Sequence, residues 1–101
     1  MPIPPKSVQK AAKRALEARD SVPPSRKAGT SVGLARANQL AKGENISEAT
    51  LLRMRSYLLR AKADYQQARS RGLNMENSKA IQAYYLWGGP SALAWVNSEL
   101  K

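Results

Sequence analysis

Arg55, Lys62 and Arg69 follow one another at intervals of seven residues, and Arg53 and Arg60 repeat the interval beside them. On a helix this spacing lines each set along the axis, and such rows of cations can track a phosphate backbone. Arg71 ends the run, and only Glu48 and Asp64 oppose it in the same stretch. A solvated helix face, with Lys and Arg stems covering apolar neighbours, gives the same spacing. Further cations stand upstream, in Lys10, Lys13 and Arg14 and in the segment Arg26-Lys27-Ala28-Gly29-Thr30-Ser31. That segment delivers cations, a flexible glycine and hydroxyls to the start of a predicted helix, where free N–H groups attract anions. Ordinary capping after a solvated loop is the favoured reading of that segment. It is not a nucleotide-hydrolysis loop, because Val32-Gly33-Leu34 lacks the Gly-Lys-Ser/Thr ending. The candidate nucleic-acid contacts are therefore Lys10, Lys13, Arg14, Arg26, Lys27, Thr30, Arg53, Arg55, Arg60, Lys62, Arg69 and Arg71.

The whole chain shares this bias, with 17 Lys and Arg against 7 Asp and Glu and a formal charge of +10 over 101 residues. Such a field favours polyanionic partners, although it also serves solubility. His and Cys are absent, which removes histidine bases, thiolate nucleophiles, disulfides and ordinary zinc sites. Glu17, Asp20, Glu44, Glu48, Asp64, Glu76 and Glu99 are scattered along the chain, and no metal, cofactor or catalytic group is expected. A binding protein is the expectation, not an enzyme.

Two other segments admit a functional and a structural reading. Residues 31 to about 60 can be read as helix, turn, helix, with Ser47, Glu48, Thr50 and Arg53 opening a recognition helix. Glu44 and Glu48 would repel phosphate there, and a helical hairpin fits as well. The rings of Tyr84, Tyr85, Trp87 and Trp95 could stack on bases of a single strand or bind a protein. Ile81, Leu86, Leu93 and Val96 surround them at helical spacing, so core packing is favoured.

The elements that must position these groups are helical. Pro2, Pro4 and Pro5 predict an extended lead-in over residues 1–6, followed by a single domain over 7–101. Ser7 is placed to cap a first helix to about Asp20, and Thr30 or Ser31 a second through Lys42. Ser47 should cap a third helix to about Arg71, roughly 35 Å long at 1.5 Å per residue. Leu51, Met54, Leu58, Ala61, Tyr65 and Ala68 form an a/d-type seam along it. Leu52 and Leu59 widen its apolar surface, which favours packing inside the domain over a coiled-coil dimer. Asn77 or Ser78 starts a fourth helix to about Trp87, and Gly88-Gly89-Pro90 leads into a fifth from about Ser91 to Glu99. With no period-2 run, the expected fold is all-α: a compact single-domain bundle of about five helices with one long central helix.

The run from Val32 to Ser47, the string Arg53-Met54-Arg55-Ser56-Tyr57 and the later Leu86-Trp87-Gly88-Gly89 resemble a small helical module of tailed bacteriophages. The module occurs alone or joined to head-associated proteins, and the resemblance covers most of this chain. It implies a viral source and supplies no catalytic residues. Ala61-Lys62-Ala63-Asp64-Tyr65 replaces a His-containing acidic segment of the module, so a function requiring that histidine is not implied here.

The leading expectation is a nucleic-acid-binding protein, partnered by DNA or RNA through phosphates with little base specificity. The alternative is a small phage structural protein, or one whose charge steers association with a capsid or host protein. No membrane insertion is expected, since no apolar run approaches the roughly 18 residues of a span. The N-terminal residues lack a signal-type apolar region, and the expected location is the host cytoplasm or the virion.

Overall fold

Proline sets the first boundary. In the computed structural model, which describes residues 2–101, Pro5 is extended (ψ 163°) and its carbonyl accepts from the backbone N–H groups of Val8 and Gln9. Helix α1 therefore begins at Lys6 and runs to Ser21, with no side-chain cap. Ser7, expected to be the cap, lies inside the first turn because the fixed φ of Pro5 already supplies the entry geometry. The residues before it are pinned to the fold. Pro4 is buried and accepts from Gln9 Nε2 at 2.8 Å, and Pro2 accepts from the Ile46 N–H at 2.8 Å.

Three of the later helices start where a hydroxyl can satisfy an orphan N–H. Thr30 accepts from Gly33 N and opens α2 (Ser31–Ala41), while Ser47 accepts from Thr50 N and opens α3 (Glu48–Ser70). Ser78 accepts from Ile81 N and opens α4 (Lys79–Leu86). The last helix, α5 (Gly89–Glu99), starts at the glycine pair, ahead of the expected Ser91, because Pro90 fits the first turn of a helix. Among the described residues a short 3-10 turn at Pro24–Arg26 is the only other helical piece, and there is no strand.

Helix α1 buries Val8, Ala12, Ala15 and Ala18, and this narrow strip of small side chains lets α2 approach with Ala37 and Leu40. Helix α3, with 23 residues and about 35 Å of rise, accounts for the 36 Å long axis of the molecule. Its seam faces α4 and α5: Leu51, Met54, Leu58 and Ala68 are buried, and Ala61 and Tyr65 are half-buried. The main core joins Leu51, Met54 and Leu58, with Ala61 and Tyr65 packed against them, to Val8, Leu40, Ile46, Tyr84, Ala92 and Val96. Both α1 and α3 pack on α4 and α5 instead of on each other.

Gly88 makes this arrangement possible. Its φ is +100°, and a Cβ there would sit 2.5 Å from Ala92 Cβ and 3.0 Å from Val8 Cγ1. Only glycine combines the left-handed turn with so close an approach of the α4–α5 joint to α1.

Candidate nucleic-acid interface

Folding sorts the predicted cations by helix face. At 3.6 residues per turn, the Arg55–Lys62–Arg69 row and the Arg53–Arg60 row lie about 170° apart around α3. Arg53, Arg60, Lys62, Arg69 and Arg71 are exposed, and Arg55 is half-buried. Lys62 borders the groove between α3 and α5, whereas Arg53 faces Arg36 of α2 closely enough to disfavour its charge. Arg60 Nε donates to the Ser56 carbonyl at 3.3 Å, one turn back along the helix. Between the rows, on the outer face, Leu52 and Leu59 are 44% and 55% exposed.

The upstream cations occupy other ground. Lys10 and Lys13 are exposed on α1, which lies across α4 and α5 from α3. Arg14 forms an ion pair with Glu76 at 2.5 Å, the single ion pair among the described residues. Lys27 Nζ donates to the Arg19 carbonyl at 2.5 Å, where it complements the C-terminal end of the α1 dipole. Arg19 Nε in turn donates to the Ala28 carbonyl at 2.9 Å. Thr30 is occupied as the α2 cap, so within this loop Arg26 is the exposed cation that lacks a protein partner. The loop is thus tied to the end of α1, and the α1 and α3 cations stand on helices that do not pack directly on each other.

One cation was not expected at the site. Arg36 is buried on α2 with its guanidinium carbon 5.7 Å from the centroid of the Trp87 ring. Nη1 donates to Gln39 Oε1 at 2.5 Å, while Nε is buried without a hydrogen-bond partner. Burial first, and the charge of Arg53 second, pull its pKa below the usual guanidinium value. It remains charged at neutral pH, since arginine ionises far above it. Trp87 fills the space between α2 and α3: one side meets Gly33 and Arg36, and the ring stacks on Tyr57 at 4.6 Å.

The remaining aromatic rings are also committed to packing. Tyr65 stacks on Tyr84 at 4.3 Å, and its hydroxyl lies 3.3 Å from that of Tyr85. Tyr84 is buried, and Trp87 and Trp95 are half-buried against the main core. Burial raises the pKa of Tyr57 and Tyr84, and burial with the Tyr65 hydrogen bond pushes Tyr85 up to about 12.

The opening turn of α3 is acidic. Glu48 and Glu99 line one shallow pocket of about 370 Å³ with Pro2, Leu51 and Leu100, an unfavourable place for a base-reading end beside phosphates. The larger groove of about 430 Å³, lined by residues including Lys62, Tyr65, Tyr84 and Leu93, contains no carboxylate. Among the described residues no three His, Cys, Asp or Glu side chains are grouped to hold a metal ion, and no helix is long and apolar enough to cross a membrane. Comparison with protein-family models, curated proteins and solved structures found no match to the chain.

Proposed function

We propose that this chain is a non-enzymatic nucleic-acid-binding protein that contacts phosphates along one flank of α3 with little base specificity. The observation that carries this reading is a charge of +10 in a fold whose described residues form one internal ion pair. The positive field is therefore largely free to act on a polyanion. The Arg53–Arg60 flank is the favoured one, because Arg53 there lies near a further cation, Arg36. Rings used in packing leave phosphate contact, not base stacking, as the main mode. The resemblance of residues 32–47, 53–57 and 86–89 to the phage module favours a viral setting, in the host cytoplasm or virion.

The test is fluorescence anisotropy of nuclease-treated protein against labelled single- and double-stranded DNA and RNA across a salt series. Saturable binding that persists near physiological salt is expected. Adsorption confined to low salt would overturn the proposal. A second reading, association with a capsid or host protein, draws on the exposed Leu52 and Leu59. A complex with such a protein that survives nuclease treatment, from a chain inert toward nucleic acid, would favour it.

A further inference from the structure

We infer that Arg36 and Arg53 form a phosphate-binding site between α2 and α3, beside the Trp87 ring. Arg36 is only 9% exposed and is the one buried cation among the described residues. No carboxylate pairs with it, since the single ion pair lies elsewhere, at Arg14 and Glu76. A guanidinium carries five N–H donors; here one nitrogen donates to Gln39, and the buried Nε finds no acceptor. The indole face of Trp87 offsets part of the charge but accepts no strong hydrogen bond. Lysine could shed its proton under such burial, whereas arginine cannot.

A second guanidinium, Arg53, approaches from α3, and its charge acts against that of Arg36. Two neighbouring like charges, the buried one desolvated and short of an acceptor, form an arrangement that an anion would relieve. A phosphate suits both groups, because its oxygens match the planar guanidinium fork and its charge answers both cations. Arg53 is exposed, which leaves the site open to solvent on the α3 side. The inference deepens the nucleic-acid reading and rests on it for the source of the phosphate, a backbone phosphodiester, while the site itself stands on the geometry of Arg36.

The experiment is a ¹H–¹⁵N titration of the full chain at fixed ionic strength, first with inorganic phosphate and separately with a short oligothymidylate. The Arg36 Nε–H and the Trp87 indole N–H should shift saturably with both ligands. Arg36→Met should abolish the Trp87 response, and Arg53→Gln should weaken phosphate binding by about tenfold, the loss expected for one charge-assisted hydrogen bond. Arg53 is exposed, so its variant keeps the test decisive even if Arg36→Met fails to fold. Resonances indifferent to inorganic phosphate, or full phosphate affinity in Arg53→Gln, would overturn the site. Saturable phosphate binding without any response to the oligonucleotide supports the site and overturns the nucleic-acid reading, which turns attention to free or protein-borne phosphate.

Discussion

Separating the two cation rows of α3 yields a quantitative prediction. A straight duplex cannot engage rows about 170° apart on one helix, so it should meet a single flank. If that flank presents Arg53, Arg60 and Arg71 together with Arg36, about four phosphates are neutralised and the log–log salt slope is about −3.6. Engaging both flanks, six α3 cations, would give about −5 without Arg36. The triple variant Arg53→Gln, Arg60→Gln, Arg71→Gln should therefore retain a slope of about −0.9, whereas Arg55→Gln, Lys62→Gln, Arg69→Gln should keep about −3.6. Between 50 and 200 mM salt these slopes correspond to losses of about 150-fold for the parent chain and about 3.5-fold for the first variant. Anisotropy on one labelled duplex reads both quantities. The altered side chains of the first set are exposed, and circular dichroism can verify that each variant retains its helices. Equal reduction of the slope by the two triple variants would refute the single-flank reasoning, and an undiminished slope in the first would remove that flank from the interface.

Other consequences concern the fold. Gly88→Ala should destabilise by about 3 kcal/mol in urea unfolding, from a left-handed φ and an overpacked Cβ. Gly72→Ala, at φ +76° with nothing within 4 Å, should lose about 1 kcal/mol, so equal losses would remove the steric part of the argument. Thr30→Ala should lower stability by about 1 kcal/mol and leave nucleic-acid affinity unchanged, because its hydroxyl serves the Gly33 N–H; weakened binding at unchanged stability would reverse that assignment. Tyr85, with a pKa near 12 when folded against about 10 in an unfolded chain, favours the native state fully below pH 10. Above that pH the unfolded chain releases the proton first, so this contribution fades between about pH 10 and 12; in Tyr85→Phe the alkaline loss of stability should be shallower over that window.

Local and periodic features were legible in the amino acids. The α3 seam was readable because its spacing repeats for three heptads, and Ser47 declared its cap through chemistry that acts within four residues, while Thr30 or Ser31 and Asn77 or Ser78 were narrowed to pairs of which Thr30 and Ser78 are the caps. Ser7 misled because the preceding proline, not a hydroxyl, shapes the α1 entry. Arg36 was illegible for a different reason. Between Ala35 and Ala37 it has no heptad partner, and its burial depends on Trp87, delivered from fifty residues away by the α4–α5 joint. The cation rows could be drawn on a helical wheel, but which neighbour each row faces is decided by tertiary packing, as is the separation of the α1 cations from α3.

Gln82 ties together two stretches that are remote in sequence: its side chain accepts from the Ala28 N–H at 2.7 Å and donates to the Met75 carbonyl at 3.0 Å. The proline-rich segment after α1 and the turn before α4 consequently share one fastener. Loosening either attachment leaves one end of the buried Gln82 amide without a partner, and withdrawing that side chain frees both stretches at once, so their amides should exchange with solvent as a single cooperative unit. Helix boundaries divide this chain into helices and loops; its units of opening follow a different partition, in which one glutamine makes two loops behave as one.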